Sequence, residues 1–387
     1  MVVIKKLNKR GNMNNKKILI VSKFFFPLNA PRSFRTTELA IELSKQGCNV
    51  TVLTPKLKIH DEFELKYNIT IEDLGQPKWK IPELKGKGLF LVVKKILRRT
   101  GQLFLDYPNL EFYFLVRKAL KKKIKENIKY DLLISIAAPH AIHWGVSSLW
   151  KNNNKKIAKK WIADCGDPFM GQENDTFKHP FYFKYIEKSF CKNVDYITIP
   201  IASAIPAYYP EFHSKIRVIP QGFNFDEIET ADTEINDHPT FAYAGGLIPG
   251  RRDPKDFLNF LVNYEHPYTF YVYTKNKSLV KFYADRSGGR IKLKDYLPRK
   301  ELLYELSKLD FVVNFENVGE KQSPSKLIDY AIIKKPILSV SSSDFNETIA
   351  FEFLEGSYER GLTIKNKNQY RIQNVAGKFL QLLENKI

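Results

Sequence analysis

Two stretches in the second half of the chain gather glycine, arginine, lysine and hydroxyl groups at strand and helix ends. Tyr-Ala-Gly-Gly-Leu-Ile-Pro-Gly-Arg-Arg-Asp-Pro (residues 243–254) closes an apolar strand on Gly245-Gly246, with Arg251 and Arg252 just beyond. Paired glycines let a ligand approach the backbone closely, and the arginines supply charge. Ser-Pro-Ser-Lys-Leu-Ile-Asp-Tyr (323–330) opens a helix capped by Ser323 or Ser325. Its exposed N–H groups, that of Leu327 included, join Lys326 in attracting an anion through dipole and charge together. Asp329, one turn inside, accepts hydrogen bonds from a vicinal diol such as a ribose. The expected ligand is a nucleoside diphosphate, with Arg252, Lys326 and backbone N–H groups on its phosphates. The plainer reading of the same residues is a well-capped helix with ordinary surface charges.

The first half has its own candidates, again at the carboxyl ends of strands. After the first strand, the turn through Asn29 and Ala30 leads into a helix that carries Arg32 and Arg35, a second anion-attracting start. Ala-Ala-Pro-His-Ala-Ile-His-Trp-Gly (137–145) places His140 directly after a strand and proline, with His143 three residues on. Two histidines at that spacing bind metals in some proteins, but no Asp, Glu or Cys near them in sequence completes a ligand set, so no metal is expected. Ala-Asp-Cys-Gly-Asp-Pro (163–168) puts Asp164 and Asp167 at another strand end, to orient a hydroxyl or cap a helix. An Asp-x-Asp pair, the usual carboxylate clamp for a divalent ion on a sugar nucleotide, occurs nowhere in the sequence. Arginine, lysine and helix dipoles would neutralise a leaving diphosphate instead.

The elements that must position these residues alternate strand and helix, the pattern of parallel α/β layers. The 387 residues suit two domains rather than one core. Residues 1–15 read as a disordered basic leader without the apolar region of a signal peptide. Residues 16–225 read as one Rossmann-like domain and 226–368 as a second, joined by the polar stretch before Pro239. Residues 369–387 read as a final helix, packing back on the first domain. No apolar run reaches membrane-spanning length. Three cysteines without a Cys-x-x-Cys pair fit a reducing compartment and speak against a disulfide framework or a zinc site. The net charge of +20 draws the protein toward polyanions. Residues 85–129 hold thirteen Lys/Arg against three acids, about half of that excess, interleaved with Leu, Phe and Val. Phe112, Leu115, Val116 and Leu120 fall at helical spacing, so this is a basic amphipathic segment suited to an anionic membrane surface, or a solvated face on a core helix. No nucleic-acid motif is present, and nucleic acid is not an expected partner.

Five stretches in order, from about Lys16 to about Pro336, resemble glycosyltransferases of the GT-B fold and family-4 type, closest to those handling bacterial surface polysaccharide sugars. They are the Asn29–Arg35 turn with the helix and strand after it, His140 through Asp167, Lys-Ile-Arg-Val-Ile-Pro-Gln-Gly-Phe (215–223), the Gly245–Arg252 loop, and Pro324 to Leu338. The resemblance implies two Rossmann-like domains facing across a cleft, a nucleotide-sugar donor in the second and an acceptor in the first. It implies transfer with retention of configuration, no required metal or other cofactor, and a UDP-sugar as the favoured donor. Arg252 and Lys326 would then hold the diphosphate and Asp329 the ribose, with His140 (His143 in reserve) beside the reacting sugar. The acceptor would be lipid-linked or a polysaccharide, used at the cytoplasmic face of the cell membrane. Two positions depart from the family pattern: Lys321 stands eight residues before Asp329 where a glutamate is usual, and Asn29-Ala30-Pro31 replaces a Gly-Gly turn. A sugar-nucleotide epimerase and a non-catalytic nucleotide-sugar-binding protein are the alternatives.

Overall fold

Runs of β-branched and leucine residues form strands covered on both faces. In β1 (Lys17–Ser22) the residues Ile18 to Val21 are all fully buried, as a strand inside a parallel sheet requires. The structure, a computed structural model, describes residues 15–80, 88–150, 157–172, 177–231, 236–316, 325–364 and 366–384. Residues 1–14 of the expected leader, Lys321 and Ser323 lie outside the described residues. The chain divides into two units, Met1–Phe223 with Ile372–Ile387, and Asn224–Arg371.

In the first unit β1 is followed by α1 (Pro31–Lys45), β2 (Asn49–Thr54), α2 (His60–Tyr67), β3 (Thr70–Asp73), α3 (Leu89–Leu105) and α4 (Glu111–Lys125). Then come β4 (Tyr130–Ile136), α5 (Ala141–Trp150), β5 (Ala158–Asp164), α6 (Phe183–Asn193), β6 (Tyr196–Ile199) and β7 (Ile216–Val218). The seven strands are all parallel in the order β3-β2-β1-β4-β5-β6-β7. Alternate residues of β1 serve opposite layers. Ile18 and Ile20 pack with Leu39 and Leu43 of α1, while Leu19 and Val21 pack with Phe112, Val116 and Leu120 of α4. Pro31 at the first turn and Gly47 beyond the last bound α1; Gly47 has φ 84°, a conformation that ends helices at little cost.

The second unit repeats the scheme with β8 (Thr240–Ala244), α7 (Lys255–Asn263), β9 (Thr269–Tyr273), α8 (Ser278–Arg286) and β10 (Ile291–Lys294). It continues with α9 (Arg299–Ser307), β11 (Phe311–Phe315), α10 (Ser325–Ile332), β12 (Ile337–Val340) and α11 (Glu347–Leu354). Its five strands are parallel in the order β10-β9-β8-β11-β12. Phe241 stacks on Phe311 with centroids 4.4 Å apart and on Phe270 at 4.8 Å, tying the three middle strands together. The last helix, α12 (Ile372–Glu384), belongs to the first unit, where Val375, Phe379 and Leu380 join the α1 side of the core. Both units are Rossmann-like.

The described part of the basic segment, residues 88–129, holds two helices with opposite fates. In α4 the apolar face is core, with Phe112 at 2%, Val116 at 0% and Leu120 at 1% exposure. That face lies against α5 so closely that a Cβ on Gly145 would fall 2.9 Å from Val116 Cβ. In α3 no residue is buried, and Leu89, Phe90, Val93, Ile96, Leu97 and Phe104 all face solvent. Of the two expectations for this pattern, the membrane-facing one is corrected for α4, whose Phe112, Val116 and Leu120 build the first unit's core, as the core-helix alternative has it.

Candidate active site

In a doubly wound sheet the crevice for ligands opens where strand order reverses, at the carboxyl ends of the two strands involved. In the first unit those strands are β1 and β4, in the second β8 and β11. The turn at Asn29-Ala30 follows β1, His140 follows β4, and Gly245-Gly246 follows β8. The topology thus delivers the candidate residues of each unit to its own switch point.

The first switch point is organised by one buried ion pair. Asp164, the last residue of β5, is 1% exposed and Arg35 is 3% exposed. Arg35 donates through Nε to Asp164 Oδ2 at 3.0 Å and through Nη2 to Oδ1 at 2.8 Å. Its remaining donors reach the carbonyls of Ile219 (3.1 Å) and Pro220, and its guanidinium lies over the Phe379 ring of α12. Thr198 Oγ1 donates to Asp164 Oδ1 at 2.7 Å. Burial opposes charge on Asp164, yet Arg35, Arg32 and Thr198 together hold its carboxyl below the usual range. Arg35 is therefore not available to an incoming anion, contrary to the sequence expectation; it welds α1, β5, the segment after β7 and α12 together.

Arg32, one turn earlier, is different. It is partly exposed and 3.6 Å from Asp164, a looser contact that leaves its guanidinium at the mouth of the switch point. The chain passes directly beneath it at Gly166, where a Cβ would sit 1.3 Å from Arg32 Nη2. Glycine leaves room for this overlay, and any larger residue at 166 would make the guanidinium shift. Ala30 forms the start of α1 with no side-chain cap, and Asn29 is exposed beside it.

His140 is 8% exposed, and its Nε2–H donates to the carbonyl of Asp167 at 3.0 Å. Burial first, and the charges of Arg32 and His179, push it down to about 4, against the Asp167 carbonyl. Burial thus favours the neutral imidazole at His140. His143 is fully buried, with Nδ1 against Ser135 Oγ at 2.8 Å and Nε2 against Cys165 Sγ at 3.4 Å. That placement removes it as a reserve for His140. The Asp167 side chain is exposed, and what the residue gives His140 is its backbone carbonyl. Cys165 is a third donor beside the two histidines that nearness in sequence did not reveal.

In the second unit the Gly245-Gly246 loop is held from three sides. Gly245 N–H donates to Tyr273 O at 2.9 Å, Tyr243 Oη donates to Gly246 O at 2.8 Å, and Ala244 N–H donates to Tyr330 Oη at 3.3 Å. A Cβ at Gly246 would meet nothing within 4 Å, so the loop borders open space. Ile248 and Arg252 pair across a tight turn, returning Arg252 toward Tyr243. Arg252 Nε is buried without a hydrogen-bond partner, whereas Arg251 is exposed. Ser325 and Lys326 open α10, their side chains outside the described set. Leu327 is buried in the core beside Tyr330, so only its backbone can serve a ligand. Asp329 is half-buried, and Arg299 Nε and Nη2 both donate to its Oδ1. Burial raises Asp329 and Arg299 opposes that rise. Any diol on this carboxylate shares it with Arg299, a partner the sequence did not reveal.

No family model and no curated protein matches the chain. Solved structures do. A glycosyltransferase from Rickettsia africae is 13% identical with a TM-score of 0.63, covering 96% of this chain and 100% of that one. A TarM variant from S. aureus, solved with fondaparinux, α-GlcNAc-glycerol and UDP, is 13% identical with a TM-score of 0.56, covering 96% and 100%. HepE from Anabaena, solved with UDP and glucose, is 11% identical with a TM-score of 0.54, covering 95% and 96%. At these identities the likeness is one of fold: two Rossmann-like units of the GT-B type.

Proposed function

We propose that the protein is a glycosyltransferase that moves a sugar from a nucleotide-sugar donor, a UDP-sugar by preference, to a lipid-linked or polysaccharide acceptor. The observation that carries this reading is the β8 switch point, where an open glycine loop adjoins an arginine with a buried, unpartnered Nε. In this reading Arg252, Lys326 and the N–H groups at the start of α10 hold the diphosphate, and Asp329 takes the ribose on the side away from Arg299. The first unit receives the acceptor at Arg32 and the Asn29-Ala30 turn. Neutral His140 hydrogen-bonds the reacting sugar. The leaving phosphate oxygen accepts the acceptor's proton on the face it departs from, which retains the anomeric configuration and needs no metal. The test is incubation with UDP-sugars and a lipid extract, reading released UDP and the anomer of the product by NMR. Release of UDP without a glycosylated product would leave only a nucleotide-sugar hydrolase.

Nucleotide-sugar binding without transfer is the second reading, favoured by the Arg299 contact that occupies part of Asp329. The same assay separates the two, because a binding protein releases no UDP.

The placement of Arg32 gives a prediction within this reading. Gly166→Ala displaces the guanidinium without removing its charge, so it reduces transfer less than Arg32→Ala does, and it adds no further loss in the Arg32→Ala background. Additive losses would mean that Gly166 acts elsewhere.

The reading places the enzyme on the inner face of the membrane, docked through α3. Phe90, Val93, Leu97 and Phe104 form one exposed apolar stripe, with Lys94 and Arg98 beside it, the composition that anionic lipid attracts. No helix among the described residues is long and apolar enough to cross a membrane. The protein is expected to float with anionic vesicles and not with neutral ones, and Val93→Glu with Leu97→Glu abolishes flotation. Equal failure to float with both vesicle types would remove α3 as an anchor.

A further inference from the structure

The parallel ends of β4 and β5 bring together three residues whose chemistry exceeds hydrogen bonding to a sugar. One donor atom each from His140, His143 and Cys165 lies within 4.8 Å of the other two, and all three side chains are buried. One nitrogen of each imidazole is already engaged. His140 Nε2–H donates to Asp167 O, and His143 Nδ1 meets Ser135 Oγ, itself fixed by Trp161 Nε1–H at 2.8 Å. Outer contacts of this kind set ring orientation and tautomer in metal-binding histidines.

In the tautomer that gives Nδ1–H to Ser135, His143 Nε2 carries a lone pair 3.4 Å from Cys165 Sγ. Zinc–nitrogen bonds of about 2.0–2.1 Å and zinc–sulfur bonds of about 2.3 Å, set tetrahedrally, separate such ligands by about 3.5 Å. That pair is spaced for a metal as it stands. His140 Nδ1 is buried with no hydrogen-bond partner, an arrangement proteins avoid unless something else completes it. The cluster's bound of 4.8 Å exceeds the tetrahedral spacing by about 1 Å, a gap that a small turn of the His140 ring closes. Tyr208 Oη, also buried, acts on the Cys165 thiol from a further side.

We propose that His140 Nδ1, His143 Nε2 and Cys165 Sγ form a binding site for one thiophilic divalent ion of the Zn2+ class, and that its occupation inhibits the protein. On binding, the S–H bond of Cys165 breaks and its proton leaves to solvent. The thiolate and two imidazole lone pairs coordinate the ion, and no electron changes hands. The inhibitory part rests on the function proposed above, since the ion fixes the His140 ring that this reading assigns to the sugar. The binding part does not.

The experiment titrates chelator-treated, full-length protein with Co2+ and then Zn2+. One equivalent of Co2+ is expected to give near-ultraviolet sulfur-to-cobalt charge-transfer absorption, which Zn2+ removes by displacement. Cys165→Ala, or Cys165→Ser if the alanine variant does not fold, abolishes the band, and His140→Ala weakens Zn2+ binding at least tenfold. Cys48→Ala and Cys191→Ala keep the band. A band that survives in the Cys165 variant, or its absence from the wild type, overturns the site. If Zn2+ binds through Cys165 but no transfer is found with any donor, the site stands and the glycosyltransferase reading falls. If transfer is found and Zn2+ at saturation leaves its rate unchanged, the inhibitory role falls.

Discussion

Asp164→Ala is expected to lower the unfolding temperature of the first unit by about 10 °C. The substitution leaves the Arg35 guanidinium buried with no counter-charge, and breaking a buried pair from one side costs about 3–5 kcal/mol. In a unit of this size each kcal/mol moves the midpoint by about 2–4 °C. Arg35 has no route to water: its donors are committed to Asp164, Ile219 and Pro220, and Phe379 lies across its face. Asp164→Asn keeps the Thr198 hydrogen bond and lies between the two. The contrast is a double change of Asp164 and Arg35 to apolar residues of similar volume, which removes both charges and costs far less than Asp164→Ala. Calorimetry of the three variants checks this, and a shift below 2 °C for Asp164→Ala would mean that the pair is not structural.

Arg252→Ala is expected to reduce transfer about 100- to 1,000-fold, the usual cost of removing one preorganised charge from a leaving group. The pairing of Ile248 with Arg252 fixes the backbone from which the side chain returns toward the glycine loop, so it pays little reorganisation when the diphosphate arrives. Arg251, exposed on the same turn, serves as control, and Arg251→Ala is expected to fall within a few-fold of wild type. Equal losses from the two would show that the turn contributes only diffuse charge. Steady-state kcat/KM for the donor decides between these outcomes.

The strands and the α/β class were legible in the sequence because parallel strands covered on both faces read as unbroken apolar runs, as in Ile18–Val21. The fate of the amphipathic helices was not. Phe112 in α4 and Leu97 in α3 occupy equivalent places in equivalent patterns, and periodicity says that a face is apolar without saying what covers it. Arg32 and Arg35 posed the same problem at the site. They sit one turn apart on α1, yet Asp164, 129 residues after Arg35, makes one structural and leaves the other at the switch point. Cys165 lies 22 residues from His143 and meets it only because Ile136 and Asp164 pair in register on β4 and β5. Gly166 stood in plain view in the sequence; what lies over it is a fact of tertiary structure alone.

The central claim, a nucleotide-sugar site at the β8 switch point, is tested most directly by thermal shift against UDP-, GDP-, ADP- and CMP-sugars. Wild type is compared with Lys326→Ala and Asp329→Ala. A ligand that binds only the folded state stabilises it by about 2.7 kcal/mol at one hundred times its Kd. The account predicts a rise in midpoint with one nucleotide class, UDP-sugars foremost, that is lost in both variants. No rise with any of the four would contradict it, and would leave the glycine loop and α10 as ordinary structural elements.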